Sequence, residues 1–537
     1  MPNAVGRAGV WSTGASGIRS TRMFDAHALD RLDAALHRAA PPGVDARVDR
    51  ARRRAAGVYF TPPALVEFVV DATLSAAWAA RPASAGPFRV LDPAAGDGRF
   101  LAAAARWIAA RTGCSPAAAR RCVIGIERDP ALAARARDAV GPGAAVHCAE
   151  ALLGAPAVGP VDAVVGNPPY VRSVRLERSD PALHRALRGA FAATSHREWD
   201  LYGAFIERSL AWLAPWGRAG LVVPSRWLTG AFAARLRAKL AANGAVAALV
   251  DFGERQIFAG ATTYAAVVWL ARVNQRAVRV ARWVGGRWRI GSVDAAGLGA
   301  APWRLATGAT RELLDELAAA GPPLGRIARI AKGAGTNADR VFVIERGWSR
   351  ALAEPVDLEP AATRPVLRGR DVAPYGRVDP DVRIVYPYDD AGRLVPPDEL
   401  PPRAAAYLAR CRDRLEARER GRYRGARFYR FGRPQNLAWL ADPAPKIVVP
   451  DVARTGRAMV DAAGAMVLDS AYAVRPLPGA PVGIDALLDL LNSPVVDLWL
   501  RETGLRLRGG YVRMKTAYLA SLPVCPPSLW SAAAAAL

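Results

Sequence analysis

The chain has 537 residues, more than one core of ordinary size holds, so two large domains with smaller appendages are expected. Its 69 arginines and 4 lysines outweigh 48 acidic residues, for a formal net charge of +25 that points to a polyanionic partner. Five cysteines without a Cys-x-x-Cys pair and five histidines, none beyond His196, argue against a zinc site or a disulfide framework, and no metal is expected.

No apolar run reaches the length of a membrane span, and the arginines near the N-terminus are not followed by an apolar stretch with a cleavage site. A soluble, cytoplasmic protein without a membrane partner is expected. Residues 1–50 read as a poorly specified extension with a short amphipathic stretch at 26–39. From Val58 onward, short β-rich segments at 88–92, 123–127, 145–148, 161–165, 219–223, 246–250 and 264–270 alternate with alanine-rich helical patterns. Such alternation predicts a mostly parallel, doubly wound α/β sheet. A hairpin around Gly285-Gly286 follows, and Pro322-Pro323 marks a linker. Beyond it the alternation is lost, which predicts a first domain at 51–323 and a mixed α+β recognition domain at 324–537.

The first strand runs into Asp92-Pro93-Ala94-Ala95-Gly96-Asp97-Gly98 and then a helix near Arg99. A glycine turn at the carboxyl edge of an open α/β sheet lets a ligand approach the backbone. The spacing departs from Gly-x-Gly-x-x-Gly, and no lysine follows the glycines, so a dinucleotide or a triphosphate is disfavoured. The next strand ends in Glu127, where a carboxylate can accept from both hydroxyls of a ribose, and Glu150 after the third strand is placed to accept from an adenine amino group.

The fourth strand ends in Gly166-Asn167-Pro168-Pro169-Tyr170-Val171-Arg172. Two prolines cannot continue a central strand, so they turn the chain outward and stiffen the loop that carries the Asn167 side chain and the Pro168 carbonyl. An exocyclic amino nitrogen is a poor nucleophile because its lone pair is delocalised into the ring. Two acceptors on its two hydrogens draw it toward tetrahedral geometry, and Tyr170 offers a ring face for the base.

The segment 92–98 resembles the first motif of class I S-adenosylmethionine methyltransferases. Gly57-Val58-Tyr59-Phe60-Thr61-Pro62-Pro63 is similar to the segment that precedes that motif in TaqI-type amino-methyltransferases, and by that resemblance Thr61 hydrogen-bonds the cofactor's carboxylate. An N-cap role for Thr61, ahead of a helix starting at Ala64, is compatible with it. The order of cofactor motif, catalytic loop and recognition region is that of the γ group, with 201–206 and 224–228 resembling its downstream motifs. The resemblance implies a Rossmann-like class I methyltransferase domain that uses S-adenosylmethionine. Cofactor contacts are then expected at Tyr59, Thr61, Pro62, Asp92, Pro93, Ala94, Gly96, Asp97, Gly98, Glu127 and Glu150, with Asn167, Pro168, Pro169 and Tyr170 carrying transfer to adenine N6. Cytosine N4 poses the same chemical problem and stays open.

Between Arg403 and Arg433 lie 11 arginines, with Tyr407, Tyr423, Phe428, Tyr429 and Phe431 interspersed. Arginine serves phosphates and base edges, while the aromatics either stack on bases or support the loop. With 333–337, 368–371, 446–450 and 491–494, this region resembles a TaqI-like specificity domain. It implies double-stranded DNA as partner; its motifs are loose and carry over no individual base contact, and by their charge Arg172, Arg418, Arg420, Arg422 and Arg424 are the candidate DNA contacts. The segment 171–199 is expected to flank the catalytic loop and hold the strand of the flipped base through Arg172, Arg175 and Arg178. A separate cognate restriction endonuclease fits such a system. An RNA or protein-glutamine methyltransferase and the methylase part of a bifunctional restriction enzyme are the alternatives.

Overall fold

The computed structural model describes residues 23–38, 60–154, 156, 158–258 and 263–537. Two units divide at Thr307/Gly308, ahead of the expected Pro322-Pro323 linker. Gly308 has φ +57 and ψ −146, a conformation only glycine adopts readily, and it starts the helix Ala309–Ala319 that belongs to the second unit.

The first unit is built on one nine-stranded sheet. In chain order its elements are α1 (Ala26–Arg38), α2 (Pro63–Ala80), β1 (Val90–Asp92), α3 (Arg99–Thr112), β2 (Val123–Glu127), α4 (Pro130–Val140), β3 (Ala145–Cys148) and β4 (Val161–Gly166). Then come α5 (Leu201–Trp212), β5 (Leu213–Pro224), α6 (Ala234–Ala242), β6 (Val246–Asp251), β7 (Ala265–Ala271), β8 (Ala277–Val284) and β9 (Arg287–Asp294). The strand order is β3-β2-β1-β4-β5-β7-β6-β8-β9. β1 to β5 run parallel, with Leu91 opposite Ile124 and Val164 in turn. β7 inserts antiparallel between β5 and β6, and β8 and β9 form the hairpin turned at Gly285-Gly286.

Neighbouring residues on these strands enter different cores, as period-two strands require. Val90, Ala163, Val165, Val222 and Val267 pack with α2 and α3 on one face. Leu91, Val164, Leu221, Val223 and Val268 pack with α5 and α6 on the other. Both faces are covered, so central strands are apolar throughout. α2 is long and apolar enough to cross a membrane by composition, and its Leu65, Val66, Val69, Val70 and Leu74 are buried in the first core. The amphipathic stretch near the N-terminus forms α1, whose Leu29 and Leu32 join that core, with Phe24 5.6 Å from Trp269. It is thus part of the first unit's packing rather than an unspecified extension.

The second unit carries a four-stranded antiparallel sheet of Ala328–Lys332, Ala471–Pro476, Lys446–Pro450 and Met459–Asp461, in that spatial order. A six-stranded and a small three-stranded sheet accompany it. Lys446 and Asp461 form a fully buried pair at 2.6 Å. The aromatics of the arginine-rich stretch are buried, with Phe431 4.9 Å from Phe342 and 5.0 Å from Tyr388. They support the loop from inside rather than offering their faces to bases.

Candidate active site

A cleft of about 470 Å³ opens at the carboxyl ends of β1, β2 and β4, where open α/β sheets bind ligands. Its floor is the turn after β1. Pro93, Ala94, Gly96 and Asp97 line it, and Gly96 takes φ +57, so the backbone itself faces the space. The Gly96 N–H donates to Glu127 Oε2 at 2.9 Å, and the Asp129 N–H to Oε1 at 2.9 Å. Two backbone donors thus fix the carboxylate at the rim, while burial pushes its pKa up.

Asp92 has a different place from the one expected. It lies beneath the turn, fully enclosed, with Oδ1 accepting from the Ala94 N–H at 3.0 Å, and it does not line the cleft. Burial raises its pKa to about 8, so near neutrality the carboxyl is largely protonated. Gly166 packs on it: a Cβ there would sit 2.5 Å from Asp92 Oδ1. Gly98 is likewise structural, since a Cβ would meet Ala136 Cα of α4 at 2.8 Å. The two glycines seat the turn and the end of β4 against their neighbours.

Glu150 lines the cleft, but its carboxylate accepts from the backbone N–H groups of Leu152, Leu153 and Gly154 at 2.9, 2.7 and 3.3 Å. It therefore caps its own turn, and three of its roughly four acceptor sites are taken before any ligand binds. Pro62 stands at the N-cap of α2, outside the cleft lining, and Tyr59 lies outside the described residues.

Asn167 and Pro169 enter the cleft from the end of β4. The Asn167 Nδ2 donates to Thr61 Oγ1 at 3.1 Å, joining the 167–170 loop to the segment ahead of α2 across 106 residues of sequence. Thr61 is 1% exposed, and its hydroxyl serves Asn167 rather than the first turn of α2, which shows no side-chain cap. Tyr170 is half-buried and is not among the residues lining the cleft. Its hydroxyl donates to Val222 O at 3.3 Å, and its ring meets Tyr202 and Phe258 edge-on, each at 6.0 Å.

The loop is pinned from its far side as well. Leu201 N–H donates to Val171 O at 2.8 Å, and Ser173 N–H to Trp199 O at 2.7 Å, so 171–173 pairs with 199–201 like a two-residue ribbon. Several contributors escaped the sequence reading. Arg99 lines the cleft, donates to Thr61 O, pairs with Asp97 and lies 4.9 Å over the Phe60 ring. Its place directly after Gly98 was the available signal. Val171, Leu176, Leu183, Leu201 and Phe205 form an apolar wall.

Arg418 is a correction. It is buried and donates to the carbonyls of Leu415, Thr336 and Phe428, with its guanidinium 4.5 Å over Tyr423, so it braces the loop instead of facing a ligand. Arg422 pairs with Glu419 at 3.3 Å, Arg420 sits at φ +62, and Arg424 lies against Gly421.

Residues 148–258 match the model of the Eco57I restriction-modification methylase, and residues 364–524 that of the TaqI-like C-terminal specificity domain. These two stretches are thus similar to a methylase and to a specificity domain of restriction-modification systems. The type II methyltransferase M.PaeR7I of Pseudomonas aeruginosa is 26% identical over 395 residues, which cover 68% of this chain and 64% of that protein. The aligned region therefore spans somewhat under two thirds of that relative. M.TthHB8I of Thermus thermophilus is 35% identical over 196 residues, covering 36% of this chain and 40% of its own. Among solved structures, the type IIL restriction-modification enzyme MmeI in complex with DNA shares the fold, with TM-score 0.55 and 12% identity over 93% of this chain and 67% of that chain.

The first unit is a class I methyltransferase fold, and the cofactor of such methylases is S-adenosylmethionine. The cleft fits it: an exposed glycine backbone, a carboxylate at the second strand end and an apolar wall match a group with a polar amino-acid end, a ribose and a flat ring.

Proposed function

We propose that this protein transfers a methyl group from S-adenosylmethionine to N6 of an adenine turned out of double-stranded DNA, as the modification activity of a restriction-modification or phage-defence system. The observation that carries the reading is the Asn167–Thr61 hydrogen bond, which orients the Asn167 amide inside the same cleft that Gly96 and Glu127 line.

The bound cofactor supplies an electrophilic methyl group on a sulfonium. Glu127 accepts from the ribose hydroxyls, and the turn 93–97 lies along the cofactor. Asn167 Oδ1 and the Pro168 carbonyl accept the two amino hydrogens of the base, which localises the nitrogen lone pair for in-line displacement. Orientation of this kind is worth about 7–11 kcal/mol in favourable intramolecular reactions. Tyr170 supports the base with a ring that Val222, Tyr202 and Phe258 hold still. The carbonyl and amide do not deprotonate the amino group before transfer; they align it, and the proton it sheds once methylated passes to water.

The basic composition and the TaqI-like specificity domain favour DNA over RNA or a protein glutamine. A separate cognate endonuclease is the partner such a system calls for. The test is incubation with tritiated S-adenosylmethionine and plasmid DNA, RNA or a release factor, followed by nucleoside analysis. N6-methyladenine from DNA is expected. Label only in RNA or protein, or as N4-methylcytosine, would overturn the assignment.

A further inference from the structure

Beside the catalytic loop, away from the cofactor cleft, a second cleft of about 280 Å³ is lined by Arg172, Arg175, Arg178, Arg226, Asp200 and Phe232, among others. We infer that it binds a backbone phosphate of the DNA strand that carries the extruded nucleotide. The inference rests on DNA being the substrate.

Four guanidinium groups line this space against the carboxylates of Asp200 and Glu198, so its charge favours an anion. Arg226 is held in two ways. Its Nε lies 3.6 Å from Asp200 Oδ2, and its guanidinium stacks 4.8 Å from the centre of the Phe232 ring. Its side chain nonetheless keeps 42% of its surface exposed. An arginine fixed from behind by a carboxylate and from below by a ring loses less freedom on binding than a mobile surface arginine, and its planar fork matches phosphate oxygens.

Asp200 is 6% exposed, and its carboxylate lies among Arg226, Arg172 and the Tyr202 hydroxyl. With that carboxylate already turned to these groups, the cleft presents mainly guanidinium donors, which suit phosphate oxygens.

Position gives the site its use. Arg172 stands two residues after Tyr170 and is bridged to Asp200 across the ribbon that pins the loop. A phosphate held between Arg172 and Arg226 is thereby tied by rigid backbone to Asn167. Phosphate contacts fix register without reading sequence, which is what a nucleotide must have before its base is aligned. Arg226 follows β5 and had no part in the sequence expectation of a basic 171–199 segment; the fold adds it.

The test measures binding of a short fluorescein-labelled duplex to the full chain, with S-adenosylhomocysteine present, between about 50 and 200 mM salt. Arg226→Ala is expected to weaken binding about tenfold and to lower the magnitude of the salt slope by about 0.7–0.9, one phosphate contact. Arg226→Lys should recover the slope. Once methylated adenines are mapped, neutral methylphosphonates are placed at each phosphate flanking the target. At one position the substitution should weaken the wild-type complex and leave the Arg226→Ala complex unaffected. Calorimetry with S-adenosylhomocysteine checks that each variant still binds cofactor and is folded. An unchanged slope in Arg226→Ala, or additive losses at every flanking position, would overturn the phosphate site while leaving DNA methylation intact. A wild-type protein that does not methylate DNA would sink the functional reading itself.

Discussion

Replacing Thr61 by Val removes the hydroxyl that accepts from Asn167 Nδ2 at 3.1 Å and keeps almost the same volume at a buried position. A hydrogen bond between neutral buried groups contributes about 0.5–1.5 kcal/mol net, and a donor deprived of its acceptor costs about 1–3 kcal/mol. If Thr61 acts by orienting the Asn167 amide, that energy is felt where the amino hydrogens are gripped most tightly, in the transition state. A loss of about 1.4–2.8 kcal/mol there lowers kcat about 10- to 100-fold. Cofactor affinity should change little, and Thr61→Ser should restore the rate. Single-turnover methylation of duplex DNA reads kcat, and calorimetry with S-adenosylhomocysteine reads affinity. A normal rate with cofactor binding weakened tenfold or more would refute the argument. It would return Thr61 to the role the upstream motif resembles, a contact to the cofactor's carboxylate.

Asp92 keeps its proton in the folded state where the unfolded chain has lost it, so its contribution to stability declines as pH rises from about 4 to about 8. The slope is about 1.4 kcal/mol per pH unit for one such group. Asp92→Asn should flatten that dependence in denaturant titrations between those pH values, and an unchanged profile would show that Asp92 does not govern it. Gly166→Ala forces a Cβ to 2.5 Å from Asp92 Oδ1 at φ +158 and is expected to cost about 1–3 kcal/mol, read as a lower urea midpoint. Glu127→Gln replaces a charged acceptor and should weaken S-adenosylhomocysteine about 10- to 100-fold by calorimetry; equal affinity would remove Glu127 from the ribose site. Arg418→Ala removes a donor from the Leu415, Thr336 and Phe428 carbonyls, of which Thr336 O keeps the Gly432 N–H, so a loss of about 2 kcal/mol in stability is expected with no change in the salt slope of DNA binding. A reduced slope at normal stability would restore Arg418 as a DNA contact.

Much of the first unit's architecture is legible in the local sequence. Apolar strands alternating with alanine-rich helices admit few solutions other than a parallel sheet covered on both faces. Asp92-to-Gly98 and Asn167-to-Tyr170 sit at strand ends because glycine and proline stop strands for local steric reasons. Such features are encoded by neighbours in the chain, so they can be read there. The antiparallel placement of β7 between β5 and β6 and the packing of α1 on the sheet depend on partners far away in sequence.

What each polar residue does with its hydrogen bonds emerges only in the folded chain. Asp92, Glu150 and Arg418 are the residue types a binding site wants, yet each meets backbone groups or burial first, and that use is invisible until the chain has folded. Thr61 and Asn167 are 106 residues apart, and Arg226 meets Asp200 across a loop; nothing local encodes either pair. Local sterics write the scaffold into the sequence, while the competition of distant donors for a limited set of acceptors is settled only by the fold.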